Sequence, residues 1–315
     1  MKGILTICLA LFGLALRGQY YEVGSYLGFS TYLGELSQQR LLPEESGLML
    51  GVFGRYNITP WLSAKAGLTK GTLSGSDANA RTEAERMRNL SFRSNVLEFA
   101  VTGEFNLLEY NIRANKTAVP YAFLGLALFH HNPQAQMRGQ WYDLREMHTE
   151  NRGYRLTQVA IPVGLGFKFN ISYKLNFGLE FGARRTFTDY LDDVSTYYPD
   201  VIGMRAENPV AAALAYRSPE LTGEFGDNPA GQPRGEPLNR DWYFFSGLTI
   251  SVNLTDKYGL DFDPQYEAFK SHLKKKRDEA RGKEKVPKRK KTLRYQRKKR
   301  GKKKMLEMPA KKRTH

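Results

Sequence analysis

Three histidines, one serine and one aspartate are the side chains in this sequence best suited to nucleophilic catalysis. They are His130, His131 and His148, with Ser195 as a nucleophile and Asp189 as an orienting group. Such chemistry needs a base within hydrogen-bond reach of the nucleophile, held in turn by a third group. The sequence has these residue types but no local motif such as Gly-x-Ser-x-Gly. It therefore favours a protein without catalytic residues, and a lipid acyltransferase or deacylase remains the alternative.

A second group of residues could bind a metal ion: the aspartate cluster Asp189, Asp192 and Asp193. Carboxylates at this spacing can bind Ca²⁺ together with backbone oxygens. More often such a cluster caps turns and pairs with nearby arginines, here Arg184 and Arg185. We therefore predict neither a metal nor a cofactor and interpret the cluster as a determinant of folding or docking.

The amino terminus has the pattern of a secretory signal peptide. A lysine at position 2 precedes an apolar run from Ile4 to Leu16, which is shorter than the roughly 20 residues of a spanning helix. We predict a signal peptide over residues 1–18, with cleavage before Gln19. The single cysteine, Cys8, lies inside this segment, so the mature chain is expected to lack disulfides and thiol ligands.

The positive charge of the chain is confined to its carboxyl-terminal part. Residues 270–315 hold 23 Lys/Arg and 4 Asp/Glu, whereas the remainder holds 25 basic and 28 acidic residues. Blocks of like charge repel one another, so we predict a mostly disordered basic tail over 255–315. Its first three basic runs comprise Lys274, Lys275, Lys276, Arg277, Lys288, Arg289, Lys290, Lys291, Arg297, Lys298, Lys299 and Arg300. An exported chain meets little nucleic acid, so we expect no nucleic-acid partner. The polyanions available to the tail are peptidoglycan carboxylates, anionic membrane headgroups and acidic faces of partner proteins, and peptidoglycan is the candidate partner.

Period-two alternation between apolar and polar residues dominates residues 19–254. It is clearest in 158–171, 175–187 and the last segment, which ends at Leu254, and it recurs less regularly in five others. Those five are 20–32, 47–57, 62–74, 91–107 and 121–131. Eight segments of about 10–14 residues suit strands that cross a bilayer at a tilt. The predicted fold is all-β, an eight-stranded up-and-down antiparallel transmembrane barrel.

The connections between these segments alternate between long and short. Long connections at 33–46, 75–90, 132–156 and 191–240 are separated by shorter ones at 58–61, 109–120 and 172–174. Outer-membrane barrels have short periplasmic turns and longer external loops. The sequence therefore predicts an outer-membrane protein with both termini in the periplasm.

The charged residues on the polar faces decide between this fold and a soluble, lipocalin-like barrel, which would place them in solvent. In a membrane barrel of eight strands they would instead fill a narrow interior and pair with one another. These candidates for ion pairs in the lumen are Arg55, Lys65, Glu98, Glu104, Lys168, Glu180 and Arg184. Aromatic residues near strand ends favour the membrane, where they would girdle its interfaces: Tyr56, Trp61, Tyr121, Trp242 and Tyr243. We predict a plugged lumen, with a small porin as the alternative.

Several stretches of the chain resemble the PorG-type outer-membrane proteins of the type IX secretion and gliding system of Bacteroidota. The shorter ones are Tyr26–Gly28, Tyr32–Leu36, Leu90–Ser94, Asn132–Ala135 and Gly139–Tyr142. The most specific is Arg184–Thr196, followed by Asp241–Tyr243. Its residues Arg184, Arg185, Asp189, Tyr190, Asp192 and Asp193, together with Trp242, are the candidates for a family motif or docking site.

The resemblance covers roughly residues 20–254, and the tail lies outside it. It implies a structural, non-enzymatic role in protein secretion. The implied partners are outer-membrane lipid and the periplasmic ring that a lipoprotein and its companion protein build.

Overall fold

The computed structural model describes residues 20–37, 45–110, 118–172, 174–254 and 276–277. The chain divides into two compact units, Met1–Phe262 and Asp263–His315. The predicted signal peptide lies outside the described residues. So does the predicted basic tail, apart from Lys276 and Arg277, which are helical and exposed. No helix among the described residues is long and apolar enough to span a membrane.

The first unit is a closed antiparallel barrel of eight strands, which confirms the predicted fold class. Its strands are β1 (Tyr20–Leu33), β2 (Ser46–Asn57), β3 (Leu62–Ser76), β4 (Ser91–Asn106), β5 (Val119–Met137), β7 (Thr157–Asn170), β8 (Leu175–Thr186) and β9 (Trp242–Leu254). Each strand pairs with its neighbours in the chain, and pairing of β1 with β9 closes the ring. A ninth, short strand β6 (Gln140–Asp143) lies outside the ring and pairs only with the end of β5.

The connections define two ends of the barrel. Tyr21 and Leu254 are paired at one end, together with the connections 58–61, 107–118 and 171–174; we call this the turn end. At the loop end are the connections 34–45, 77–90, 138–156 and 187–241. The last three carry the helices α1 (Glu83–Arg88), α2 (Leu144–Met147), α3 (Val201–Glu207), α4 (Pro209–Ala215) and α5 (Pro219–Thr222).

The fifth strand is longer than the sequence predicts, and the predicted loop 132–156 begins six residues too early. Asn132-Pro133 is a turn signal in the sequence. The strand nevertheless continues to Met137, because β4 flanks it on one side and β6 on the other. Ser94 Oγ accepts a hydrogen bond from the Asn132 amide at 3.1 Å, and Pro133 has no amide to satisfy.

An apolar belt covers the outside of the barrel. Outward side chains on every barrel strand are large, hydrophobic and roughly half exposed, among them Leu27, Leu50, Leu68, Phe99, Leu126, Leu165, Phe181 and Ile250. A contiguous apolar surface of this extent would be unfavourable in water. In a bilayer it is the expected surface, because a closed ring of strands satisfies every backbone hydrogen bond within the sheet. The chain is therefore a transmembrane barrel of the outer-membrane type.

Two of the predicted girdle aromatics point the other way. Tyr121 and Tyr243 are buried inside the lumen, whereas Trp61 is about half exposed on the outside. The Tyr121 hydroxyl donates to Glu180 Oε2 at 2.7 Å and the Tyr243 hydroxyl donates to Glu98 Oε2 at 2.6 Å. The alternation along each strand, rather than proximity to a strand end, determines which way these rings face.

Candidate functional site

The lumen contains all seven charged residues that the sequence places there, together with an eighth, Glu22. All eight are buried. Glu22, Glu98, Glu104 and Glu180 balance Arg55, Lys65, Lys168 and Arg184, so the charges contributed by the described barrel strands to the lumen sum to zero. Because an unpaired buried charge costs several kcal/mol, this balance lets the interior close without solvent.

Six of these residues form one network in the half of the lumen nearest the turn end. Glu104 is its centre, with Arg55 Nε at 2.8 Å, Lys65 Nζ at 3.2 Å and Lys168 Nζ at 2.8 Å from its carboxylate. Arg55 Nη1 lies 2.6 Å from Glu22 Oε2, and Lys65 Nζ lies 2.6 Å from Glu180 Oε2. The network joins six of the eight barrel strands and fills the lumen with paired side chains.

A separate pair lies nearer the loop end. Arg184 Nε is 3.1 Å from Glu98 Oε2, and the Arg184 guanidinium lies 4.4 Å from the centre of the Phe245 ring. Above this pair, buried apolar side chains of the strands pack against those of the loops, including Phe129, Leu191, Val194 and Leu214. The loop end is therefore covered by a packed layer, which we call the cap.

The cap is built largely from the family-motif run and the loop that follows it. Glu150 Oε1 and Oε2 accept the backbone amides of Ser195 and Thr196, each at 2.9 Å. Arg234 Nη1 lies 3.0 Å from Glu150 Oε1 and donates to the Asp193 carbonyl at 2.6 Å. Because this buried ion pair joins the 138–156 and 187–241 connections, it fixes one loop against the other.

The motif aspartates are buried and do not pair with the arginines expected from the sequence. Arg184 is occupied by Glu98, and Arg185 is exposed on the outer face of β8. Asp193 instead accepts hydrogen bonds from the Thr149 and Tyr154 hydroxyls. The predicted pairing of the cluster with Arg184 and Arg185 is therefore wrong, because β8 alternation sends one arginine into the lumen and the other outward.

The remaining motif residues contribute to the same packing. Tyr190 stacks on Tyr154 with ring centres 4.7 Å apart, and its hydroxyl donates to Glu150 at 3.2 Å. Trp242 is half-buried and pairs across the sheet with Arg185 and Leu33. Of the docking candidates, only Arg185 presents an exposed charge, so the aspartates act as folding determinants in this conformation.

Four carboxylates, which we call the cap carboxylate cluster, converge beside Tyr32: Glu35, Asp189, Asp192 and Asp241. Tyr32 Oη lies 2.7 Å from Asp192 Oδ2 and 3.0 Å from Asp241 Oδ1. A hydroxyl carries one proton, so it can donate to only one of these two at a time. Neither Glu35 nor Asp241 was predicted as a site residue, and each lies only within one of the matching stretches, Tyr32–Leu36 and Asp241–Tyr243.

Burial and mutual repulsion disfavour the charged forms of this cluster. Burial, followed by the charges of Asp192, Asp241 and Asp189, raises the pKa of Glu35 to about 11. Burial raises the pKa of Asp192 to about 7 and that of Asp189 to about 6, against the hydrogen bonds that each accepts. Burial and the charge of Asp192 hold the pKa of Asp241 well above its ordinary value.

The catalytic candidates do not come together. Ser195 Oγ donates to Asp189 Oδ2 at 2.7 Å, and no histidine of the described ranges hydrogen-bonds to it. His131 is fully buried beside Phe129 and Tyr154, and its ring nitrogens have no hydrogen-bond partner. His130 and His148 are exposed.

A closed barrel with an apolar belt, a charge-balanced lumen and a packed cap defines an outer-membrane β-barrel protein. Residues 2–234 match the family described as "Domain of unknown function (DUF6089)", and the chain belongs to that family. Among curated proteins, none matches the chain.

Solved structures of outer-membrane barrels also match, at low identity. The amino-terminal β-barrel domain of Pseudomonas aeruginosa OprF is 9% identical, with 76% of this chain and 98% of that chain covered and a TM-score of 0.33. Neisserial surface protein A is 8% identical, with 75% and 97% covered and a TM-score of 0.36. A major outer-membrane protein of Thermus thermophilus is 11% identical, with 76% and 100% covered and a TM-score of 0.36.

Proposed function

We propose that this protein is a non-enzymatic outer-membrane component of a type IX protein secretion system, which anchors or aligns the periplasmic ring complex. The observation that carries the proposal is the run Arg184–Thr196, the most specific point of resemblance to the PorG-type proteins. In the structure this run leads from β8 into the cap, and its aspartates are buried there. Because these residues stabilise the cap, we expect the same run in other proteins that have this barrel and cap.

The interior of the barrel supports a scaffold rather than a pore. Four acids and four bases are buried within the barrel strands and paired across the lumen. An eight-stranded barrel has room for side chains and little else. A small porin would need this network of ion pairs to open, so we favour a structural role over a porin.

The cap supports a non-enzymatic role. A lipid acyltransferase or deacylase would need a nucleophile hydrogen-bonded to a base. Ser195 instead donates to a carboxylate that is buried in the cap, and His131 faces inward. The enzymatic alternative therefore has no assembled nucleophile among the described residues.

We infer that the turn end faces the periplasm. It has the short connections, as expected for barrels of this kind. The ring lipoprotein, its companion protein and possible tail contacts with peptidoglycan would then lie on the side of Leu254. The tail would bind through charge, and such contacts weaken with salt because exposed charges are screened beyond about 8 Å at physiological ionic strength.

A clean deletion of the gene tests the proposal. We expect protein export to fail and to be restored by the full-length chain, with unchanged lipid A mass spectra. Normal export in the deletion strain would overturn the proposal, and altered lipid A acylation would favour the enzyme instead. Pull-down of ring proteins with the full chain and with a variant lacking residues 264–315 then assigns the contact to the barrel or the tail.

A further inference from the structure

Three members of the cap carboxylate cluster come from separate parts of the chain and meet at one point. Glu35 lies in the connection after β1, Asp189 follows β8, and Asp241 precedes β9. One carboxylate oxygen of each lies within 4.8 Å of the others. Asp189 and Asp241 are only 2% and 0% exposed, whereas Glu35 is half-buried.

Two oxygens in this group lack a partner. Asp189 Oδ1 and Glu35 Oε2 are buried and accept no hydrogen bond. Asp189 Oδ2 accepts from Ser195, and Glu35 Oε1 accepts the Glu236 amide at 3.4 Å. Each carboxylate therefore keeps one oxygen that is removed from solvent and unsatisfied, a condition that costs free energy unless something binds there.

None of the nearby arginines that the structure describes forms an ion pair with the group. The charge of Arg240 lowers the pKa of Asp189 but only partly offsets the effect of burial. Arg88 forms its ion pair with Asp77 at 2.7 Å, and Arg234 pairs with Glu150 and Asp193. Within the described ranges, no lysine or arginine lies within ion-pair distance of Glu35, Asp189 or Asp241. The Tyr32 hydroxyl has one proton to donate to Asp192 or Asp241, so at any time one of these two carboxylates receives no hydrogen bond from Tyr32.

We propose that Glu35, Asp189 and Asp241 bind one Ca²⁺ ion that joins the 34–45 connection to the two ends of the 187–241 connection. Calcium binds carboxylate oxygens at roughly 2.3–2.6 Å, so two ligands on opposite sides of the ion lie about 5 Å apart. The observed 4.8 Å limit fits this span. The all-carboxylate ligand set suits Ca²⁺, whereas Zn²⁺ prefers sulfur and nitrogen, and Mg²⁺ usually keeps several waters and binds through only one or two carboxylates.

An open cleft reaches one of the three proposed ligands, Glu35. The cleft has a volume of about 700 Å³, and its walls include Gly34, Glu35, Glu236, Arg240 and Trp242. Glu35 thus lies between solvent and the buried aspartates. Water in the cleft can complete the coordination of the ion, since Ca²⁺ takes six to eight oxygen ligands.

Calcium binding to the full-length protein tests the site, measured in a neutral detergent by isothermal titration calorimetry after treatment with a chelator. We expect one ion per chain and an affinity in the range of roughly 0.1–1 mM, as in exposed extracellular modules. Asp189→Asn and Glu35→Gln should each weaken binding at least tenfold. Glu224→Gln, which removes the same charge from an exposed side chain of the same connection, should leave the affinity unchanged.

Digestion of the loops gives a second measurement. Calcium should slow cleavage of the 187–241 connection in the wild type and in Glu224→Gln, but not in Asp189→Asn. If Asp189→Asn does not refold, Glu35→Gln decides alone, because its side chain is half-exposed. Absence of calcium binding by the wild type, unweakened binding by the two ligand variants, or a stronger response to Mg²⁺ than to Ca²⁺ would overturn the proposal. None of these outcomes bears on protein export.

Discussion

Glu22 and Arg55 are direct partners in the register of β1 and β2, and their side chains meet inside the lumen with Nη1 2.6 Å from Oε2. Cross-strand partners on one face of a sheet have neighbouring Cβ atoms, so the register alone brings this pair together. Arg55 then reaches on to Glu104, which lies two strands away on β4. The pairing of β1 with β2 therefore supplies two members of an ion-pair network that crosses the barrel.

Removal of the Glu104 carboxylate should be among the most damaging changes in the lumen. Glu104→Ala leaves Arg55, Lys65 and Lys168 with too few anions, and breaking a buried pair costs roughly 3–5 kcal/mol. Urea-induced unfolding in lipid vesicles measures the loss. Glu109→Ala removes the same charge from an exposed residue after β4 and should change stability by less than about 0.5 kcal/mol. Equal effects of the two variants would contradict the role of the network.

The Glu98–Arg184 pair should behave as a coupled unit. Glu98→Met leaves Arg184 unpaired, whereas the double variant Glu98→Met/Arg184→Met removes both charges and should recover part of the loss. A double-mutant cycle should give a coupling of about 1–3 kcal/mol. The exposed pair Glu83–Arg86 on α1 is the control and should couple by no more than roughly 0.5 kcal/mol. Additive single-variant losses at Glu98 and Arg184 would refute the coupling.

A charge on the outer belt should destabilise the barrel only if that surface faces lipid. Leu126 is 65% exposed in the middle of β5. Arginine on a lipid face near the bilayer midplane costs about 2–4 kcal/mol, and we expect this loss for Leu126→Arg in refolding experiments in vesicles. Leu221→Arg, at an exposed leucine of α5 in the cap, should be close to neutral. A neutral result for Leu126→Arg would place this surface outside the membrane.

Gly34 should tolerate no side chain, because it contacts the cap carboxylate cluster. A Cβ atom there would overlap Tyr32 Oη and Asp241 Oδ1, well inside van der Waals contact. Overpacking of this kind costs typically about 1–3 kcal/mol, so Gly34→Ala should loosen the cap and speed protease cleavage of the 187–241 connection. At Gly153 the nearest atom would be His148 Nε2 at 3.9 Å, so Gly153→Ala is the matched control. Unchanged cleavage of Gly34→Ala would argue against a packed cap.

The strands and the content of the lumen could be predicted from the sequence to a large extent. Alternation is a local property of the chain, and it assigns Lys168, Glu180 and Arg184 to the interior without any knowledge of their partners. The same alternation places Tyr243 on the inner face together with Thr249 and Ser251. The inward orientation of Tyr243 could therefore have been predicted from the sequence, in place of a position in the aromatic girdle. The need for a further acid such as Glu22 could also have been predicted. The seven predicted lumen charges comprised four bases and three acids, so a neutral lumen required one more acid.

The cap could not be predicted in this way, because its contacts join residues that are far apart in the chain. Tyr32 reaches Asp192 and Asp241 across separations of 160 and 209 residues. Arg234, 84 residues from Glu150, holds two connections together. No periodicity relates such residues, and their proximity follows from the closure of the ring, which brings the ends of β1, β8 and β9 side by side.

The sequence by itself thus determined the number of strands, their inward and outward faces, the alternation of short and long connections and the type of membrane protein. These properties depend on a repeat of two residues and on the length of each segment. Only the tertiary structure decided which charges pair, that Arg184 and Arg185 do not pair with the motif aspartates, and that Glu35, Asp189 and Asp241 converge. The physical reason is that a buried charge is stabilised by partners on other strands and loops, and the folded barrel alone brings those partners within reach.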